Sequence, residues 1–143
     1  MIKFRYPLIS IFLVLIVNFI AVYKDYYHSI AVFDIPMHFF GGFAIALLAM
    51  SLYGFLVKFL TIKTKTLVKS KVPFMVFQAI FVIGFVMIIG VAWEWYEFLF
   101  DHFSTAMVQK YGLAQMGIAD TMDDLVNDAL GAAVAFIALW DLM

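Results

Sequence analysis

Four long apolar segments dominate this sequence and determine which folds are open to it. They cover about residues 6–23, 35–57, 73–100 and 123–141. A helix needs about 20 apolar residues to cross a bilayer, and each segment comes close to that length or exceeds it. Because backbone in hydrocarbon must satisfy its own hydrogen bonds, the segments are predicted to be transmembrane helices rather than strands. The fold class is therefore all-α: residues 1–143 form a single membrane domain, a polytopic four-helix bundle.

The composition excludes a soluble domain. Of the 143 residues, 66% are hydrophobic and only 13% are charged, whereas a soluble domain has about 25% charged residues. A chain this short leaves much of its surface exposed and cannot bury so much apolar area in a core of its own. The absence of cysteine also excludes disulfides and thiolate metal ligands.

The first apolar segment also has features of a secretory signal, because Lys3 and Arg5 precede it. A removed signal would end in a small-x-small cleavage site, but the chain continues as VYKDYYHS. The first segment is therefore predicted to be an uncleaved membrane anchor.

The basic residues predict how the bundle is oriented. Seven of the nine precede the first segment or lie between the second and third: Lys3, Arg5, Lys58, Lys63, Lys65, Lys69 and Lys71. An even number of crossings places both groups on the same side, and basic residues favour the cytoplasmic side. Both termini are therefore predicted to be cytoplasmic, and connections 24–34 and 101–122 to face outward.

The acidic residues are distributed in the opposite sense, since nine of the ten belong to the outward half. Charged groups at a bilayer boundary are costly unless they are paired, solvated or bound to a ligand. Helical spacing places polar residues on three faces: Asp34 with His38, Glu94 with Glu97 and Asp101, and Asp120 with Asp124 and Asn127. Because these faces avoid lipid only by turning toward one another, the sequence predicts one acidic site near the outer headgroups.

The chemistry of this predicted site depends on how its charge is balanced. Several carboxylates within a few ångströms cannot all stay ionised, so either some are protonated or a cation is bound. Carboxylate oxygens with one imidazole suit Mg²⁺, Mn²⁺, Zn²⁺ or iron. The candidate metal ligands are Asp34, His38, Glu94 and Glu97, and the candidate catalytic residues, as ligand or base, are Asp120 and Asp124.

Helix capping is a simpler interpretation for some of these acids. Asp34, Asp120 and Asp123 precede or begin apolar helices, where a carboxylate accepts free backbone N–H groups and favours the helix dipole. Glu94 and Glu97 do not fit this interpretation, because they lie in the last turns of a helix, where negative charge opposes the dipole. This pair is the strongest indication of a functional site.

Three motifs together resemble a known family: D-x-x-x-H-F at 34–39, W-E-x-x-E at 93–97 and D-T-x-x-D-x₆-G-A at 120–132. The chain is similar to the YjdF-like bacterial inner-membrane proteins and, more loosely, to the VanZ-like group. The resemblance implies a multi-pass protein of the bacterial inner membrane, and the association of some VanZ-like proteins with glycopeptide-antibiotic tolerance implies envelope lipid chemistry. Asp123-x-x-x-Asn127-x-x-x-Gly131 is similar to the VanZ-type ending, which leaves open which acid of the fourth segment matters most.

Several functional classes fit these observations. The first is a metal-dependent hydrolase or transferase acting on a lipid-linked substrate, although H-E-x-x-H, G-x-S-x-G and an Arg/Lys phosphate clamp are all missing. The second is a non-enzymatic cation-binding, ligand-binding or transport protein, although only Asn18, Ser51 and Gln78 offer polar groups deeper in the bundle. A structural membrane protein is the third. Membrane lipids are the expected partners, and the Lys-rich connection is expected to contact anionic lipid rather than nucleic acid.

Overall fold

The computed structural model describes residues 2–30, 32–59, 71–112 and 114–142. In chain order, its helices are α1 (Arg5–Tyr23), α2 (Tyr26–Ser29), α3 (Asp34–Phe59), α4 (Lys71–Phe103), α5 (Thr105–Tyr111) and α6 (Ile118–Leu139). A 3-10 turn, Trp140–Leu142, follows α6. The helices α1, α3, α4 and α6 are long and apolar enough to cross a membrane. The all-α fold with four spans is therefore confirmed for the described residues. Lys63, Lys65 and Lys69 of the predicted Lys-rich connection lie outside them.

The short helices α2 and α5 occupy the two connections that were predicted to face outward. Asp25 separates α1 from α2 with a φ of 57°, a left-handed conformation that aspartate tolerates better than most residues. Gly112 ends α5 with a φ of 81°, where glycine is strongly favoured. Both helices are too short to give a periodic apolar pattern, so the sequence did not reveal them.

Helix α3 lies at the centre of the bundle and packs against α1, α4 and α6. Small residues dominate its contact with α6, and the shared core includes Ala46, Ala49, Met50, Ala132, Ala135 and Phe136. Lipid tails are as apolar as these side chains, so helices in a membrane associate by close packing rather than by the hydrophobic effect. Two glycines make the closest approach possible. A Cβ at Gly42 would overlap the Asp128 backbone, and one at Gly131 would overlap the Phe39 carbonyl.

This packing determines which polar residues meet. The start of α3, the last third of α4 and the start of α6 lie at one end of the bundle, because consecutive spans alternate in direction. Near the opposite end, the Trp140 indole N–H donates to Gln78 Oε1 over 2.9 Å, which joins α4 to the end of α6. The polar residues of the three predicted faces therefore belong to one region, on the side where α2 and α5 lie.

Replacing Gly131 with alanine tests the close contact between α3 and α6. The added methyl group has to push the Phe39 backbone away, and we expect a loss of about 1–3 kcal/mol in the free energy of unfolding. The matched control is Gly84→Ala in α4, where a Cβ would meet no described atom within 4 Å. Unfolding of both variants in mixed micelles measures the difference. Equal stability of Gly131→Ala and the unmodified protein would contradict this account of the interface.

Candidate functional site

His38 is the central side chain of the site, one turn into α3 and only 8% exposed. Its Nε2 lies 3.5 Å from Asp34 Oδ1 and 3.7 Å from Asp124 Oδ1. Its other ring nitrogen, Nδ1, lies 3.5 Å from Asp128 Oδ1. Both nitrogens of the imidazole therefore face carboxylates, one from the same helix and two from α6.

Three of these side chains are arranged so that they could share one cation. Asp34, His38 and Asp124 each offer one ligand atom, and these atoms all lie within 4.8 Å of one another. Ligand bonds of about 2.0–2.5 Å to a common centre are compatible with that spacing. Two carboxylate oxygens and one imidazole nitrogen form a donor set suited to Mg²⁺, Mn²⁺, Zn²⁺ or iron.

Asp128 was not a predicted site residue, yet it is buried against His38. Its carboxylate fits beside α4 because residue 90 is glycine: a Cβ there would lie 2.6 Å from Asp128 Oδ2. Helical spacing predicted that its neighbour Asn127 shares a stripe with Asp124. Asn127 instead donates to the Asp123 carbonyl of its own helix over 2.8 Å. The signal that could have found Asp128 is its spacing of one helical turn from Asp124.

Glu94 is the most buried of the predicted acids on α4, with 4% of its surface exposed. Its Oε2 accepts a long hydrogen bond of 3.4 Å from Gln115 Nε2, which also donates to Thr121 Oγ1 over 3.1 Å. Its Oε1 is buried and has no hydrogen-bond partner among the described residues. A buried carboxylate oxygen in that position is costly unless a proton or a cation compensates it.

Glu97 lies one turn further along α4 and is less buried. Its Oε1 accepts a hydrogen bond of 2.8 Å from the Trp93 indole, and it lies within electrostatic range of Asp34, His38 and Glu94. Neither Glu94 nor Glu97 belongs to the group of ligand atoms within 4.8 Å. The role of Glu94 and Glu97 as metal ligands therefore stays a prediction.

Two further acids hold the segment that connects α5 to α6. Asp101 accepts hydrogen bonds from the backbone N–H groups of Ala114 and Gln115, both over 2.9 Å. Asp120 accepts one from the Met116 backbone over 3.0 Å. Asp120 lies in the first turn of α6, where a carboxylate favours the helix dipole, but no described side chain caps the N-terminus of this helix. Its predicted catalytic role stays a prediction. The contacts of Asp101 and Asp120 also fix Gln115 where its side chain reaches Glu94.

Two adjoining cavities lie next to these acids. The larger, of about 510 Å³, is lined by Asp34, Glu97 and the α5 region, and the smaller, of about 180 Å³, reaches His38 and Asp128. Both are lined by Leu15, Asn18, Tyr27 and Trp93.

Tyr27 lies outside the spans, where the two cavities join, and its hydroxyl donates to Asn18 Oδ1 over 2.6 Å. Burial raises the pKa of its hydroxyl, and the charges of the neighbouring acids raise it further, so Tyr27 remains a neutral donor at the junction.

The profile of a family described as "Predicted membrane protein (DUF2238)" matches residues 2–143. Neither the curated proteins nor the solved structures gave a significant match. The family match supports a membrane protein, whereas the finer resemblance to the YjdF-like and VanZ-like groups stays a prediction.

Replacing Asp101 with alanine tests how the segment before α6 is held. The variant removes the acceptor of two backbone N–H groups. Hydrogen bonds to a charged group contribute about 1.5–3 kcal/mol each, so we expect amide hydrogen exchange at Ala114 and Gln115 to quicken by at least about tenfold. The control is Asp123→Asn, an exposed acid of α6. Unchanged exchange in Asp101→Ala would show that other contacts hold the segment.

Proposed function

The chain belongs to the DUF2238 family of predicted membrane proteins, and from that premise we propose that it is a metal-dependent hydrolase or transferase acting on a lipid-linked substrate. The observation that carries the proposal is the convergence of Asp34, His38 and Asp124, whose ligand atoms lie within 4.8 Å of one another. Buried carboxylates that meet at one imidazole favour a bound cation, because one positive charge on His38 cannot balance them all.

The environment of His38 supports metal binding further. Imidazole ligands of metal ions usually donate their second ring N–H to a carboxylate, which fixes the ring and raises its basicity. Asp128 is placed for this task, with Oδ1 at 3.5 Å from Nδ1 while Nε2 faces Asp34 and Asp124. We therefore assign Asp128 as the residue that positions His38, and Nε2 as the nitrogen available to a cation.

Glu94 is our candidate for proton transfer. A bound divalent cation would polarise a phosphoryl or carbonyl oxygen of the substrate, and a nearby carboxylate would then take or supply the proton. Glu94 suits this role because its Oε1 is buried without a described hydrogen-bond partner and it interacts electrostatically with Asp124. Asp124, predicted as ligand or base, is assigned here as a ligand because it belongs to the three-atom group.

We place the site at the outer face of the bacterial inner membrane, with both termini cytoplasmic. The distribution of the basic residues supports this orientation. By their position in the sequence, most of them belong to the end of the bundle opposite the site, and basic residues favour the cytoplasmic side. An outward site next to an apolar cavity suits a substrate whose polar part projects from the outer leaflet while its hydrocarbon part remains in the membrane. The lipid-linked precursors and lipids of the cell envelope have this form.

Metal analysis tests the proposal directly. Purified protein equilibrated with Mn²⁺ and then desalted is expected to retain about one ion per chain, and His38→Ala and Asp124→Asn to retain none. Asp128→Asn should bind Mn²⁺ about 10–100-fold more weakly, as is usual when the partner of a ligating histidine is lost. The matched control is Asp123→Asn, which alters an exposed acid of the same helix. Absence of stoichiometric metal from the unmodified protein would refute metal dependence.

Cysteine labelling tests the proposed orientation. The sequence has no cysteine, so single replacements at the exposed residues Lys24 and Lys3 report only those positions. In intact cells a membrane-impermeant maleimide should label Lys24→Cys and not Lys3→Cys, and permeabilised cells should show labelling of both. Labelling of Lys3→Cys in intact cells would show the opposite orientation, with the site at the cytoplasmic face.

A further inference from the structure

We propose that the two adjoining cavities bind one amphiphile, with a positively charged amine in the larger cavity and its alkyl chain in the smaller. The inference deepens the proposed function, since it names the class of lipid-linked substrate for the same site. Binding itself does not require the metal, so the two proposals can fail separately.

The walls of the larger cavity are suited to an ammonium group. Asp34 and Glu97 supply carboxyl groups that can pair with an ammonium group, and Trp93, Tyr96 and Tyr27 supply aromatic rings. Cations bind over the faces of such rings, and the attraction strengthens where water is excluded. A third acid, Asp25, already pairs with His28 over 2.8 Å. Among the described residues that line this cavity there is no lysine or arginine to pair with an anionic headgroup.

A bound divalent metal would not change the preference of the larger cavity for an amine. A divalent cation held by Asp34, His38 and Asp124 is balanced by its own two carboxylates. Glu97, Glu94 and Asp128 then remain as further acidic groups nearby. These carboxyl groups favour an amine over a phosphate as the group that enters the larger cavity.

The smaller cavity has the properties of an alkyl-chain site. It lies between α1 and α4, with α3 as a third wall. Its apolar lining includes Ile11, Val14, Ala44, Ile45, Val86 and Ile89. Space exists there because α1 packs mainly on α3. The two cavities have Leu15, Asn18, Tyr27 and Trp93 in common, so one ligand can pass from the headgroup end into the bundle. The larger cavity, at about 510 Å³, falls in the usual size range of small-molecule sites.

Quenching of tryptophan fluorescence tests this proposal. The reporter is Trp93, which lines both cavities, whereas Trp95 is 70% exposed. Two single-tryptophan variants isolate them: Trp95→Phe/Trp140→Phe keeps Trp93, and Trp93→Phe/Trp140→Phe keeps Trp95. Both are placed in phosphatidylcholine nanodiscs with EDTA and titrated with chain-brominated dodecylamine, dodecanol or dodecanoate. Bromine quenches nearby tryptophan, so Trp95 reports the ligand in bulk lipid and Trp93 reports the ligand in the cavities.

The amine should quench Trp93 at a concentration at least about tenfold lower than Trp95, whereas the alcohol and the carboxylate should quench both alike. Glu97→Gln in the Trp93 background retains an acceptor for the indole and should weaken amine quenching about tenfold, the effect of one lost charge-assisted hydrogen bond. Val14→Phe fills the chain cavity and should abolish the preference. Its control, Val17→Phe on the exposed face of α1, should keep it.

The outcomes separate the two proposals. The amphiphile site would be overturned, even if metal is bound, by either of two results. One is that the amine quenches Trp93 and Trp95 equally, and the other is that the alcohol quenches Trp93 as selectively as the amine does. Selective quenching of Trp93 by the amine in protein that binds no metal would support the amphiphile site and refute only the metal-dependent function.

Discussion

The constraint on which this structure depends is the burial of several carboxylates around one imidazole inside a bundle of apolar helices. Such groups are tolerated in a membrane only where they face one another and share compensating charge. The glycines at 42 and 131 make this possible, because they let α6 approach α3 until Asp124 and Asp128 reach His38. The close helix contact and the polar cluster are therefore one feature: without the first, the acids of α6 would face lipid or a water-filled gap.

The same packing leaves one side of the bundle open. Helix α3 is covered by α6 and α4, while α1 rests mainly on α3 and leaves the cavity beside α4. The polar cluster thus lies next to a space that is apolar toward the membrane interior and acidic toward the connections that α2 and α5 occupy. A substrate with a hydrocarbon chain could reach such a site from the bilayer without leaving it, which is the geometry that a lipid-linked substrate requires.

Much of this arrangement follows from the sequence, because span length and one-turn spacing are local properties. The four spans and the pairing of Asp34 with His38 needed only apolar run lengths and helical periodicity. Helical spacing places Asp128 one turn from Asp124, but by itself it does not show that Asp128 rather than Asn127 faces the second nitrogen of His38. Whether Asn127 or Asp128 faces α3 depends on the rotation of α6, which is set by the glycine contacts rather than by the spacing of polar residues. The contact of Gln115 with Glu94 likewise depends on how Asp101 and Asp120 hold the intervening segment.

Acids of the same type serve two different purposes here, and depth in the bundle separates them. Asp101 and Asp120, near the helix ends, satisfy backbone N–H groups and need no further partner to explain their charge. Asp124, Asp128 and Glu94 lie deeper, in positions where less than a tenth of each residue is exposed. A protonated His38 compensates only one of the aspartate charges beside it, and it leaves Glu94 Oε1, which lacks a hydrogen-bond partner within the described part of the chain, uncompensated. A divalent cation compensates more of this charge at once, so Glu94 is the residue at which a purely structural role for the cluster and a metal-dependent role differ most.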